Sequence, residues 1–241
     1  MANTNDLNDV LTSAQFENSL LGAVMEYSML KHPFYQAWSE GKLSKSVLAE
    51  YAKQYYAHVR AFPTYVSAVH SRCEDLETRQ MLLENLIEEE RGAESHPELW
   101  LRFAESLGVA RQDVKDAELL ASTKASVASL KSLTQARDYR EGLAALFAYE
   151  SQIPEVAKTK REGLKSFYGI AEERAVSFFR VHEGIDVLHQ QIERKILTEK
   201  CQTADEQSRA IATAKESAKA LWAFLDGVSE AYLTPAAATF N

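Results

Sequence analysis

Three observations predict an all-α fold: glycine and proline are scarce, apolar residues recur at helical spacing, and capping residues precede the apolar stretches. The 241 residues include only 9 glycines and 5 prolines, below the roughly 7% and 5% of average usage, so few turns punctuate the chain. A hydrophobic share of 46% suffices for one compact core. The pattern gives a single helical domain over 14–232 with seven or eight helices, a mobile segment over 1–13 and a tail over 233–241. No heptad is sustained, which favours a globular bundle over a coiled coil.

Apolar positions first take helical spacing over Gln15–Lys31, and His32-Pro33 interrupts them. Ser44 is suited to cap a second helix running to His70, in which Pro63 removes a backbone donor and should bend or break the ladder. Asp75–Gly92 reads as a third helix. Pro97 fits the first turn of a fourth over Ser95–Leu107, stopped by Gly108. A more polar helix over 111–130 follows, then the longest pattern, Ala136–Phe167, interrupted by Pro154. Two further helices cover 172–199 and 203–232.

With 27 basic and 35 acidic side chains the formal charge is -8. No Lys/Arg-rich block is present, which argues against nucleic acid and membrane surfaces as partners. No apolar run approaches the roughly 20 residues of a spanning helix, and the polar start MANTNDLNDV lacks the features of a signal peptide, so a cytoplasmic location is expected. Cys73 and Cys201 form neither a CxxC pair nor a disulfide framework, which suits a reducing compartment.

Chemistry concentrates in a few acids and histidines. His182, Asp186 and His189 stand at i, i+4 and i+7 and fall in one sector of a helix face. Glu89 and His96 are seven apart, and Glu150 lies among Leu143, Leu146, Phe147 and Ile153, where an isolated carboxylate is costly. Bundles that hold two metals in their core use this inventory of carboxylates and imidazoles projected from facing helices. Taken singly, Glu89 within Glu88-Glu89-Glu90 reads as a solvated acid and His96 as a cap or surface residue. The Glu-x-x-His pairs of ferritin-like di-iron proteins are absent, which points to another helical scaffold.

The segments HPFYQAWSEGKLS (32–44), AFPTYVSAVHSRCEDLETRQMLLENLIEEERG (61–92), YESQIP (149–154) and HEGIDVLHQQIE (182–193) resemble the haem-oxygenase-like di-metal oxidases. Within that family they are most similar to the group of the chlamydial protein associating with death domains and its bacterial relatives; TenA/PqqC-like proteins are more distant. The resemblance implies a haem-oxygenase-like bundle and assigns the metal ligands to Glu89, His96, Glu150, His182, Asp186 and His189, the six that spacing selects. It further implies an oxygen-dependent, self-sacrificing para-aminobenzoate synthase serving folate biosynthesis. The implied cofactors are two metal ions, Fe/Fe or Fe/Mn, with molecular oxygen and an external reductant. An electron donor and a homodimeric state follow from the same resemblance.

By motif, the resemblance makes Tyr35 the donor of the aromatic ring and Lys160 the donor of the amino group. On the residues alone, Phe34, Tyr35 and Trp38 read equally as core packing, and Lys158 and Lys165 crowd the region of Lys160. Lys160 lies ten residues beyond Glu150, about 80° around an ideal helix, so periodicity does not aim it at the metals unless Pro154 bends the helix. An aromatic residue after His32-Pro33 would be aimed inward by irregular backbone. Tyr51, Tyr55, Tyr56 and Tyr149 are candidates to relay electrons or protons, with Tyr149 foremost because it adjoins Glu150. Phe178 stands where the family has a tyrosine, four residues before His182.

Other activities of the scaffold fit less well. A haem oxygenase needs a proximal histidine, which His32 could supply, and a glycine-rich distal helix, which no segment offers. A thiaminase-like relative needs a nucleophilic cysteine, whereas the acids beside Cys73 disfavour a thiolate. Pyrroloquinoline quinone synthases work without metal, so an intact ligand set argues against them. Other di-iron oxidases acting on a small molecule, and a death-domain-type interaction module, remain as alternatives.

Overall fold

The structure is a computed structural model that describes residues 9–233, except for the side chains of residues 185–188. The expected segment 1–13 and tail 233–241 therefore fall largely outside the described residues. The fold is an all-α bundle, as the sequence predicts. Its helices are α1 (Ser13–Met25), α2 (Pro33–Ser39), α3 (Lys45–Arg72), α4 (Leu76–Glu90), α5 (His96–Ser106), α6 (Arg111–Lys115), α7 (Ala121–Thr134), α8 (Tyr139–Glu150), α9 (Ile153–Tyr168), α10 (Glu173–Lys200) and α11 (Ala204–Tyr232).

Local chemistry sets many of the starts. The Ser44 hydroxyl accepts from the Val47 amide, Asp75 accepts from Thr78, and Thr12 and Thr203 each form a reciprocal box with Gln15 and Glu206. Pro97 sits in the first turn of α5, and Gly108 follows that helix at φ +82°, as the sequence suggests. Helix α8 has no polar face from Gly142 to Tyr149, and it is buried along that length between α3, α7, α10 and α11.

The chain divides more finely than its apolar pattern because tertiary hydrogen bonds capture the backbone between pieces. Helix α1 stops at Met25; beyond it, the Met29 amide donates to the Gln152 side chain at 2.8 Å. The pattern over 111–130 splits into α6 and α7 because buried Gln54 donates to the Glu118 carbonyl at 2.9 Å and accepts from the Leu120 amide at 3.0 Å. Pro63 does not break α3, which runs unbroken from Lys45 to Arg72. Its one missing bond costs about 3 kcal/mol, and packing against α4, α5, α7 and α8 along the helix outweighs it. The break near Pro154 does occur: α8 ends at Glu150 and α9 opens at Ile153, with Pro154 in its first turn.

Helix α2 begins at Pro33, with His32 as its cap, so Tyr35 projects from a regular first turn and not from irregular backbone. The Trp38 indole on this helix donates to the Lys160 carbonyl at 3.2 Å. Gly163 on α9 makes that approach possible, since a Cβ there would lie 2.8 Å from Trp38 Cδ1. Gly163→Ala should therefore destabilise the protein by about 1–3 kcal/mol in urea unfolding, despite its gain in helix propensity. Gly22→Ala, at an exposed position of α1 with nothing within 4 Å, should stabilise it by about 0.5–1 kcal/mol.

Candidate metal centre and tyrosine cage

Helices α4, α5, α8 and α10 bring acids and imidazoles together in the core. Glu89, in the last turn of α4, and His96, the first residue of α5, are both buried, with Glu89 Oε2 standing 2.8 Å from His96 Nδ1. The short turn between the helices folds two residues seven apart back towards each other, so no continuous helix is needed. The His182 ring lies 4.3 Å from that of His96, centroid to centroid. Glu89, His96 and His182 each offer a ligand atom, all within 4.8 Å of one another.

This trio has the composition of a two-histidine, one-carboxylate face for a divalent ion with open positions. Its hydrogen bonding fits that use. His182 Nδ1 donates to the Phe178 carbonyl at 2.6 Å, which fixes the proton there and leaves Nε2 as the lone-pair nitrogen. Burial, reinforced by the His96 ring, pushes His182 well below the usual imidazole range and keeps it neutral, as a ligand must be. His96 Nδ1 is buried against Glu89 Oε2 without an aligned hydrogen bond, and a metal would satisfy it.

Glu150 and His189 stand beside the trio. Asn85, one turn before Glu89, donates its amide to Glu150 Oε1 at 2.8 Å. His189 Nδ1 lies 3.9 Å from the same oxygen, and His189 Nε2 lies 2.9 Å from Glu88 Oε2. Burial raises the Glu150 carboxyl above the ordinary carboxylate range, and the adjacent imidazole opposes that shift. Asp186 lies on α10, but its side chain is outside the described residues. The structure thus converges Glu89, His96 and His182, sets Glu150 and His189 next to them, and describes no contact of Asp186.

A second constellation adjoins the first. Lys160, buried on α9, donates from Nζ to the Tyr51 hydroxyl at 2.7 Å, and Tyr51 shares a 2.8 Å hydrogen bond with the Tyr35 hydroxyl. The amine lies 4.6 Å from the ring centroid of Tyr35, 4.8 Å from Tyr55 and 5.0 Å from Tyr51. These ring faces would stabilise an ammonium, but no carboxylate among the described residues pairs with it. Desolvation prevails and lowers Lys160 well below the usual lysine range. The helix break at 151–152 produces this placement: α9 starts afresh after Glu150, so the 80° expected of an ideal helix does not apply.

The two constellations are continuous. Tyr55 stacks on Tyr51 with centroids 5.5 Å apart and shares a 2.8 Å hydrogen bond with Tyr149, the residue before Glu150. Tyr55, Tyr149, Glu89, Glu150, Lys160 and His182 all line one cavity of about 30 Å³, the space of a single small molecule. Tyr56, also singled out in the sequence, is buried but outside this chain of contacts. Phe178 stacks on His182 at 4.2 Å, so an apolar ring fills the position of the family tyrosine. His32 is committed elsewhere: Nδ1 accepts from the Phe34 amide and Nε2 donates to Asp226 at 3.0 Å. Burial raises the Cys73 thiol above its ordinary range, against a nucleophilic role.

Sequence reasoning missed Asn85 and Glu193, both buried here. Their signal was present: Asn85 is four residues before Glu89, and Glu193 four after His189, so each extends a face already selected.

Comparison with known proteins agrees with this geometry. Residues 49–222 match the family described as iron-containing redox enzymes. The 4-aminobenzoate synthase of Nitrosomonas europaea is 38% identical over 226 residues, covering 90% of this chain and 92% of that protein. The 4-aminobenzoate synthase of Chlamydia muridarum is 39% identical over 218 residues, covering 90% and 92%. A TenA homologue from Pseudomonas syringae has the same fold, with a TM-score of 0.78 over 95% of this chain and 99% of that one at 15% identity. A buried two-histidine, one-carboxylate face, a haem-oxygenase-like bundle and a family match across most of the chain converge: this protein belongs to the iron-containing redox enzymes of the haem-oxygenase-like fold.

Proposed function

We propose that this protein makes para-aminobenzoate for folate biosynthesis by sacrificing two of its own side chains, the ring coming from Tyr35 and the nitrogen from Lys160, once per chain. The observation that carries this reading is the cage in which the Lys160 amine, the Tyr51 hydroxyl and the Tyr35 hydroxyl form one hydrogen-bonded line beside the metal-ligating face. The similarity to 4-aminobenzoate synthases supports the product. Glu89, His96, Glu150, His182, Asp186 and His189 would hold the metals. Two irons, or one iron with one manganese, would activate molecular oxygen with electrons from an external donor.

Each protein residue has a task that its surroundings equip it to perform. Lys160 must present a lone pair to become an aryl amine, and desolvation by burial favours its neutral form. Oxidation of a phenol releases its proton. Tyr51 holds the Tyr35 hydroxyl and the Lys160 amine in one line, over contacts of 2.8 and 2.7 Å, and so orients both reacting groups. Tyr149, Tyr55 and Tyr51 form a continuous route for an electron from Tyr35 towards the residue adjoining Glu150. The apolar walls, including Phe62, Val156 and Phe178, keep water from the aromatic intermediates.

A strain lacking its para-aminobenzoate genes should grow without supplement when it carries this gene; failure to grow would count decisively against the synthase. Tyr35→Phe should abolish product with metal content unchanged, and label from ring-labelled tyrosine should enter the product of the wild type. Lys160→Arg should lose the product while Lys165→Arg keeps it; the reverse would transfer the amino-donor role. Lys160 also has a stability signature. Its folded form favours the neutral amine, so the unfolded chain binds more protons below about pH 10.4. The unfolding free energy of the wild type, relative to Lys160→Met, should rise with pH up to that value by at most about 1.4 kcal/mol per unit and level off above it. A flat difference from pH 7 to 10 would show that Lys160 is already charged in the fold.

A further inference from the structure

Glu193 is 4% exposed, on α10, one turn beyond His189. It belongs to none of the six positions selected by spacing or resemblance. Its carboxyl faces that of Glu150, which comes from the neighbouring helix α8. Two buried carboxyls in contact need either a shared proton or a cation between them. Glu193 and His189 also line a second cavity, of about 300 Å³, together with Asn85, Glu84 and Glu88. Glu84 and Glu88 are exposed at its rim, whereas Asn85 and Glu193 are buried within it. This cavity is lined by residues of α4 and α10 with Leu143 of α8, and is roomy enough for a cation with several waters.

Charge balance points the same way. Two divalent ions bring four positive charges, and the three carboxylates of the proposed ligand set, Glu89, Glu150 and Asp186, offset three; a fourth carboxylate would balance the charge, the condition under which burial of charge is cheapest. His189 is suited to share such a position, because Nε2 faces Glu88 at 2.9 Å and Nδ1 is turned towards Glu150.

We infer that Glu193 is a further metal-site carboxylate, serving with Glu150 and His189 the metal position on the cavity side, while Glu89, His96 and His182 serve the other. This inference rests on the dimetal reading above. None of the cage tyrosines lines that cavity.

Titration of chelator-stripped protein with Mn²⁺ by calorimetry tests it. Wild type should take up two equivalents. Glu193→Gln should keep the tighter equivalent and weaken the other by tenfold or more, and metal analysis after anaerobic Fe²⁺ loading should show the same loss. The metal-free variant should unfold at the same temperature as metal-free wild type or higher, since it removes one of two adjacent buried acids. A merely structural Glu193 would give the opposite pattern, a lowered midpoint with both affinities unchanged, and would overturn the inference. Two unchanged equivalents in Glu193→Gln overturn it and leave the dimetal reading standing; fewer than two in wild type overturn both.

Discussion

Ionisable groups held away from water inside an apolar bundle are the constraint on which the rest of this structure depends. Glu89, Glu150, Glu193, His96, His182 and Lys160 are all nearly inaccessible, in a core built mostly from aliphatic and aromatic side chains. Each such group costs several kcal/mol unless a partner of opposite character meets it. The carboxylates and imidazoles share one region and suit cations as partners. The amine lies apart from them among phenol rings, and its simplest escape from the cost is to shed its proton. One physical problem thus has two local solutions, and the two adjoin through a single small cavity.

The break between α8 and α9 joins them. Helix α8 delivers Tyr149 and Glu150 at its last turn, and α9 restarts within three residues in a direction that carries Lys160 into the aromatic cage. The break is held on both sides. Gln152 receives the Met29 amide and donates to the Ala148 carbonyl, while Trp38 grips the Lys160 carbonyl and packs on Gly163. A tyrosine line from Tyr149 through Tyr55 and Tyr51 to Tyr35 then crosses from α8 over α3 to α2. Regular secondary structure supplies the rigid parts, and one discontinuity brings amine, phenols and candidate metal ligands into reach of one another.

The side that carries the acids and imidazoles is ordered by the same economy. His182 is oriented by a carbonyl of its own helix, Glu150 by Asn85, and His189 lies between Glu88 and Glu150. These outer contacts matter because a ligand fixed before the ion arrives pays less to bind it. Family membership and the geometry reinforce each other here: the match to iron-containing redox enzymes spans residues 49–222, whereas the buried two-histidine, one-carboxylate face is a property of three particular side chains.

The sequence by itself determined the all-helical class, the Ser44, Asp75 and Pro97 helix starts, and the stripes on which Glu89, His182 and His189 lie, because these depend on residues within a few turns of each other. It also carried the motifs that make Tyr35 and Lys160 stand out. Only the tertiary structure decided what surrounds them. That Pro63 leaves α3 unbroken, that Gln54 holds the chain open between α6 and α7, and that Lys160 is buried against Tyr51 and Tyr35 all follow from contacts between residues tens of positions apart. Asn85 and Glu193 lie on faces that the sequence marks, but their burial depends on the helices that close over them. Periodicity says which way a side chain points from its own helix axis; the packing of the other helices decides whether it meets water, a ring or a ligand.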